Sequence, residues 1–132
     1  MISHQFSVLS NDAMQDYHKL QVWQKSHQLT LRVYRMTTSF PKSEVFGLTS
    51  QMRRAAASVE SNIAEGCGRD GKPELTRFLR MAVGSVSELE CQTEIARDLG
   101  YISHQEAAEW LAAAIEIRRM LSGLIKRLKT DD

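Results

Sequence analysis

The sequence predicts an all-α protein, an antiparallel up-down-up-down four-helix bundle that works as an oligomer. Apolar residues recur at steps of three and four in every long segment, and no alternation typical of a strand persists. Four such segments are joined by short connections, which make neighbouring helices antiparallel. The 132 residues fit one domain. Residues 1–15 lack periodicity and are predicted to be a flexible N-terminal extension; residues 16–132 are predicted to be the bundle domain.

The first segment carries a broad apolar stripe, which is typical of a helix with more than one neighbour. The residue before a proline is pushed out of the α region, so the helix is predicted to end at Ser39-Phe40-Pro41. For His27 we predict a hydrogen-bonded packing role rather than a ligand role. The predicted inward face consists of Leu20, Trp23, His27, Leu31 and Tyr34, widened by Val22, Leu29, Val33 and Met36.

The second segment begins after Gly47, where Thr49 or Ser50 can cap a helix. It ends at Gly66, which opens a glycine-rich turn. Small residues from Ala55 to Ser58 would let another helix approach closely. The predicted core face is Leu48, Met52, Ala55, Ala56, Val59 and Ile63.

The third segment begins at Pro73, because a first-turn proline lacks only an amide that the helix leaves unpaired. Gly100 is predicted to end this helix, and Ser103 with Glu106 forms a capping box for the fourth. The predicted core positions are Leu75, Phe78, Leu79, Ala82, Val86, Leu89, Thr93 and Ala96 in the third helix, and Leu111, Ile115, Leu121, Ile125 and Leu128 in the fourth.

The net charge of +1 conceals an uneven distribution. Up to Lys72 the chain has nine basic and six acidic residues, and from Pro73 onward it has eight basic and ten acidic ones. This balance excludes a uniformly basic nucleic-acid binder and an acidic disordered tail, but it allows a local cationic face. No apolar run approaches the ~20 residues of a membrane span, and the N-terminus lacks the pattern of a secretory signal.

These observations predict a cytoplasmic protein with no membrane partner. The two cysteines, Cys67 and Cys91, are too few for a disulfide framework and are expected to be free thiols in a reducing compartment.

The turn from Gly66 to Lys72 matches the pattern G-x-G-x-x-G and nearly matches G-x-x-x-x-G-K-[ST], two phosphate-binding motifs, but it lacks their structural context. Those motifs need a strand before the glycines, whereas a helix is predicted here, and Pro73 replaces the hydroxyl residue that would hold magnesium. No histidine follows a glutamate at the spacing of a di-iron bundle site. The sequence therefore predicts an interhelical turn, no catalytic residue, no cofactor and no metal, and a protein that is not an enzyme.

Basic residues cluster at positions that suit either nucleic acid or a subunit interface. If these residues form one cationic face, that face would attract the phosphates of a nucleic acid. The alternative is that they form an ordinary solvated helix surface with no binding role. The candidates are Arg53, Arg54, Arg69, Lys72, Arg77 and Arg80. The last helix is also crowded with Arg118, Arg119, Lys126, Arg127 and Lys129.

Several stretches, in the same order, resemble a four-helix bundle family whose members are encoded in intervening sequences of bacterial 23S rRNA genes. Residues 16–25 resemble its opening D-[FY]-x-x-L-x-V-W-Q-K, residues 47–56 its G-L-x-x-Q-[IM]-R-R-A-A, and residues 62–66 match its N-I-A-E-G. The similarity covers about residues 16–129. Glu60 stands where the family usually has proline, which predicts a straighter second helix.

The resemblance implies a homo-oligomer, commonly a pentameric ring, and no known catalytic residues. The chain is also similar to the accessory variability determinant proteins of diversity-generating retroelements. Those pentameric bundles assist a reverse transcriptase and bind nucleic acid through basic surfaces; only Arg53 and Arg54 carry over from a matching motif. We therefore expect an oligomeric bundle that binds RNA or DNA, as an accessory or scaffold for a reverse transcriptase or an RNA-processing protein. The alternative is an oligomeric scaffold for proteins alone, with no nucleic-acid role.

Overall fold

Four long helices run alternately up and down around a shared apolar core. The structure is a computed structural model and describes residues 16–130. α2 packs against α1 and α3, and α4 packs against α3 and α1, which closes the bundle. Short 3-10 turns lie at Tyr17–Lys19 and Lys42–Glu44, and the helices are α1 (Gln21–Thr37), α2 (Leu48–Cys67), α3 (Lys72–Asp98) and α4 (His104–Thr130). No strand occurs in this described part of the chain, so the predicted all-α four-helix bundle is confirmed. The predicted extension, residues 1–15, lies outside the described residues.

The predicted core faces of α2 and α3 are confirmed. All six predicted positions of α2 and all eight of α3 are buried. The α2 alanines do allow close packing, since Thr30 on α1 reaches the Ala56 carbonyl with its hydroxyl at 3.1 Å. Periodicity succeeds in these two helices because most of their buried residues are apolar, although Thr49, Asn62, Gln92 and Thr93 are buried as well.

The predicted inward face of α1 is right at Leu20, Val22, Leu29 and Val33, which are buried, and wrong at several other positions. Leu31, Tyr34 and Met36 are each more than a third exposed. The buried positions also include three residues with hydroxyl groups. Each hydroxyl donates a hydrogen bond to the backbone carbonyl four residues earlier, at 2.7 to 2.9 Å. A polar residue bonded in this way costs little to bury, so hydrophobicity alone assigned the wrong face. The buried side of α1 consists of Val22, Ser26, Leu29, Thr30, Val33 and Thr37.

The predicted stripe of α4 is right in its second half and wrong in its first. Leu121, Ile125 and Leu128 are buried, whereas Leu111 and Ile115 are only partly buried. Trp110, with 1% of its surface exposed, occupies the core at this level, and its size decides which way the first half of the helix turns. The buried residues of that half are Ala107, Trp110, Ala114 and Ile117.

The predicted cap of α2 by Thr49 or Ser50 is wrong. The helix begins at Leu48, so Gly47 occupies the N-cap position and Thr49 and Ser50 already lie inside the first turn. Its first amide, that of Leu48, donates instead to Oε1 of Glu44 at 3.0 Å. The hydroxyl of Tyr101 donates to Oε2 of the same carboxylate at 2.9 Å, so Glu44 ties the start of α2 to the α3–α4 connection.

The second helix runs unbroken through Glu60, as expected from the absence of a proline. Glu60 accepts a hydrogen bond from Nδ1 of His27 at 2.9 Å, and the His27 ring stacks on Trp23 with centroids 4.8 Å apart. His27 thus has the predicted hydrogen-bonded packing role, at the rim of the core rather than inside it, since its side chain is 43% exposed.

Ion pairs between Arg32 on α1 and two glutamates on α4, Glu106 and Glu109, join these two helices. Ser103 caps α4 as predicted, because its Oγ accepts the Glu106 amide at 3.0 Å. The other half of the predicted capping box does not form in the described part of the chain, because the Glu106 carboxylate binds Arg32 and Trp110 instead of the Ser103 amide. The Glu106 carboxylate accepts two bonds from Arg32 on α1, at 2.6 and 2.9 Å, and one from Nε1 of Trp110 at 2.6 Å. Arg32 also pairs with Glu109. These bonds lower the pKa of Glu106, because the Arg32 guanidinium favours the ionised carboxyl.

Replacing Arg32 by methionine is expected to make stability less sensitive to acid. A lowered folded pKa stabilises the protein fully above the unfolded pKa of Glu, about 4.3, and the effect is lost as pH falls through the folded value. We expect R32M to cost about 1–2 kcal/mol at neutral pH, because Arg32 is partly exposed, and less in acid. Urea unfolding at about pH 7 and about pH 3 measures the difference.

Arg35→Met is the matched control, since Arg35 lies exposed on the same helix with no ion pair in the described part of the chain. An R32M deficit that is the same at both pH values would contradict the role given to Glu106.

Candidate nucleic-acid interface

The six predicted basic residues fall at three places rather than in one cluster. Arg53 and Arg54 lie in the first half of α2, and Arg69, Lys72 and Arg77 surround the turn between α2 and α3. Arg80 faces α4. Sixteen residues of helix and turn separate Arg53 from Arg69, about 24 Å if measured along the helix axis.

Arg53 and Arg54 diverge, as adjacent residues on a helix must. Arg53 turns onto α1, where Nε donates to the Thr37 hydroxyl at 2.9 Å and Nη2 to the Tyr34 carbonyl at 3.1 Å. Its guanidinium also lies 5.0 Å from the centre of the Tyr34 ring. Arg54 is exposed and has no ion pair among the described residues. Arg53 therefore stabilises the fold, and Arg54 alone of this pair faces outward.

The arginines beside the α2–α3 turn pack on a shared aromatic ring. Arg69 and Arg77 lie 5.2 and 4.6 Å from the ring centre of Phe78. Each is also paired with a nearby acid, Arg69 with Glu65 at 2.6 Å and Arg77 with Glu74 at 3.1 Å. Arg77 lowers the pKa of Glu74 through this hydrogen bond. Because the pairs are exposed, they leave the arginines able to exchange partners at small cost.

The turn itself connects two helices, as predicted. It follows the helical residue Cys67, and Gly71 takes a φ of 85°, which favours glycine. Lys72 opens α3 and is partly buried.

Arg80 lines a basic cleft, and it is the one residue of that cleft among the six predicted candidates. Arg80 on α3 lines this cleft with Lys126 and Lys129 on α4. The cleft has a volume of about 450 Å³, and its other lining residues are Val83, Ser122 and Ile125, none of them acidic. None of the three cations has an ion pair among the described residues. The crowding of basic residues near the end of α4 was the sequence signal for this site.

A second basic groove lies between the start of α1 and the end of α4. It has a volume of about 690 Å³ and shares Lys126 with the α3–α4 cleft. Lys25 and Arg119 also line it, and the acid in its lining, Glu116, pairs with Lys25 at 2.9 Å. The apolar part of its lining is Val22, Met120 and Leu124.

Charge is segregated along the two longest helices rather than between the halves of the chain. Residues 104–116 of α4 carry three acids and no Lys or Arg, whereas residues 118–129 carry five Lys or Arg and no acid. In α3, residues 85–98 carry four acids and one arginine, and residues 72–84 three basic residues and one acid. Because α3 and α4 are antiparallel, their basic halves lie at the same end of the bundle.

The described residues contain no group of three His, Cys, Asp or Glu that could hold a metal ion. Both cysteines are free, and burial raises the pKa of Cys67 to about 11, so its thiol stays protonated near neutral pH. Across residues 16–130, no helix has the length and apolar character needed to cross a membrane.

Two comparisons place this bundle among known proteins. A family model described as 23S rRNA-intervening sequence protein matches residues 18–123. Among solved structures, the chain is similar to a protein with unknown function from the S23 ribosomal protein family of Bacteroides thetaiotaomicron. The two share 22% identity and a TM-score of 0.72, over 80% of this chain and 98% of the other. Among curated proteins, a search finds no match.

Proposed function

Because this chain belongs to the 23S rRNA-intervening sequence protein family, we propose that it is a non-enzymatic, homo-oligomeric four-helix bundle that binds RNA or DNA. It would act in the bacterial cytoplasm as an accessory or scaffold for a reverse transcriptase or an RNA-processing protein. The observation that carries the nucleic-acid role is the α3–α4 cleft, where Arg80, Lys126 and Lys129 converge with no acid in the lining.

The chemistry of this cleft suits a phosphate backbone. Its three cations have no ion pair among the described residues, so binding a phosphate would not require breaking one. Arg77 lies one turn before Arg80 on α3, and its exposed pair with Glu74 can open at small cost. Besides the three cations the cleft offers one polar side chain, Ser122, so we expect binding to phosphates with little sequence preference, driven by release of counterions.

The oligomer is supported by apolar residues that the single chain leaves uncovered. Phe46 is 95% exposed, and its neighbour Val45 is 50% exposed. Val45 lines a groove of about 800 Å³ over the small residues of α2, where Tyr34 and Met81 contribute further apolar surface. Apolar patches of this kind mark contact sites. We propose a pentamer in particular because the family that the sequence resembles commonly forms pentameric rings.

RNA binding tests the nucleic-acid part of the proposal. The wild type is expected to bind a generic single-stranded RNA, and R80A/K129A to bind it more weakly. Losing two phosphate contacts should flatten the slope of log K against log salt by about 1.4 between roughly 50 and 200 mM. Fluorescence anisotropy of a labelled RNA measures both quantities.

The matched control is R35A/K42A, which removes two exposed cations from the opposite end of the bundle. If the wild type forms an oligomer but binds no RNA at low salt, the nucleic-acid role is wrong. The exposed apolar groove over α2 would then favour the second candidate function, an oligomeric scaffold for proteins alone.

A further inference from the structure

We infer that the α3–α4 cleft takes the phosphorylated end of a nucleic-acid strand, a terminal phosphate monoester, rather than the middle of a strand. The inference rests on the proposed nucleic-acid binding and names the part of the strand that the cleft holds. Two features of the molecule carry it. An ion pair bounds the cleft at one end, and the cations and the hydroxyl in its lining exceed what one phosphodiester can use.

The cleft is bounded toward the middle of the bundle. Ser122 is the lining residue nearest to the middle of α4, and Arg118 lies one turn before it. Arg118 forms an ion pair with Glu90 of α3, which joins the two helices across the seam that the cleft follows. A strand that continued along this seam would therefore meet a carboxylate that an arginine already holds.

The charge beyond that ion pair also opposes a continuing strand. Residues 85–98 of α3 and residues 104–116 of α4 carry seven acids and one arginine between them, so phosphates would be repelled there. In the other direction, toward the end of the bundle, the exposed Arg77 lies one turn before Arg80. A strand can therefore approach the cleft over Arg77 and has to end near Ser122.

The lining suits a monoester better than a diester. Arg80, Lys126 and Lys129 supply three positive charges, and none of them has an ion pair among the described residues. The exposed Ser122 hydroxyl, which has no hydrogen-bond partner in the described chain, adds a donor at the bounded end. A backbone phosphodiester carries one negative charge, whereas a terminal monoester carries about 1.5 to 2 near neutral pH and offers three acceptor oxygens. A strand end therefore uses more of these donors.

Two pairs of RNAs that share one sequence test this assignment. The first pair carries a fluorescent label at the 3′ end and differs by a 5′-phosphate or a 5′-hydroxyl. The second pair is labelled at the 5′ end and differs by a 3′-phosphate or a 3′-hydroxyl. In fluorescence anisotropy at about 0.1 M salt, one phosphorylated RNA is expected to bind about tenfold more tightly than its hydroxyl partner. The pair that shows this preference identifies the end that the cleft takes.

Ser122→Ala is expected to remove most of this preference, because a hydrogen bond to a charged phosphate is lost. Its affinity for the hydroxyl-ended RNAs should stay within about twofold of the wild type, because the three cations remain. Ser87→Ala is the matched control, since Ser87 is an exposed serine of α3 that does not line the cleft. It should bind all four RNAs like the wild type. Circular dichroism would establish that both variants fold.

The preference is also expected to fall as the pH is lowered from about 7.5 to about 5. The second pKa of a phosphate monoester is about 6, so in acid the terminal group approaches the single charge of a diester. Histidine is the side chain that ordinarily changes charge in this range, and no histidine of the described chain lines the cleft. The hydroxyl-ended RNAs report any effect of pH on the protein itself.

The outcomes distinguish a strand end in the cleft from nucleic-acid binding as such. If the RNAs of each pair bind equally, or if folded S122A keeps the full preference, the cleft does not hold a strand end, while the nucleic-acid role stands. A preference that is unchanged at about pH 5 would contradict the part given to the second phosphate charge and would overturn the inference in the same way. A wild type that binds none of the RNAs at low salt would overturn both proposals.

Discussion

Replacing Gly66 by valine is expected to lower the free energy of unfolding by about 1–3 kcal/mol. A Cβ at this position would lie 2.9 Å from Cβ of Phe78 and 3.1 Å from a methyl of Leu75, both on α3. Real Cβ atoms do not approach a neighbour that closely, so α3 would have to move away from α2. The glycine of the N-I-A-E-G stretch is therefore a contact requirement between two helices. Urea unfolding followed by circular dichroism measures the loss.

Gly84→Ala is the control that separates crowding from helix propensity. Gly84 lies inside α3 with nothing within 4 Å of an added Cβ. Alanine there is expected to raise the free energy of unfolding by about 0.5–1 kcal/mol, because glycine is the poorer helix former. If G66V were as stable as G84A, the close approach of α2 and α3 at Gly66 would be refuted.

Trp110→Ala is expected to cost about 3–5 kcal/mol, the largest effect of any substitution proposed for this protein. The side chain is 1% exposed and fills the space between α4 and its neighbours. Its removal leaves a cavity and also deprives Glu106 of a hydrogen bond at 2.6 Å. Because marginal domains are stable by only about 5–15 kcal/mol, W110A should unfold at a much lower urea concentration than the wild type.

Trp23→Ala provides the comparison for that loss. Trp23 is partly buried, and it stacks on His27 at the surface of α1. It should cost well under half as much as W110A. Circular dichroism is the suitable probe for both variants, since each removes one of the two tryptophans that dominate fluorescence. Equal losses from the two substitutions would mean that Trp110 does not anchor the core.

The sequence correctly indicated that the candidate site consists of basic residues, but it identified only some of the residues that line it. Arg80 lines a basic cleft, but its partners Lys126 and Lys129 lie more than forty residues further along the chain. Arg53 has the same sequence context as Arg54 and a different role, because Thr37 and Tyr34 of α1 lie beside it. Spacing along the sequence places a residue on a face of its own helix, and it does not say which other helix that face meets.

Some features of this protein follow from the sequence by itself. Local physics sets the four helices, their antiparallel order and the stops at glycine, as at Gly100, whose φ is 78°. It also sets the core faces of α2 and α3, because most of the inward residues there are apolar.

Only the tertiary structure decided the rotation of α1 and of the first half of α4, the use of Arg53, and the meeting of the basic halves of α3 and α4. Buried hydroxyls on α1 bond to their own backbone, which hides their burial from any hydrophobic pattern. Charges that are distant in the chain reinforce one another only where packing brings them to the same end of the bundle, so a net charge of +1 is compatible with a strongly basic surface.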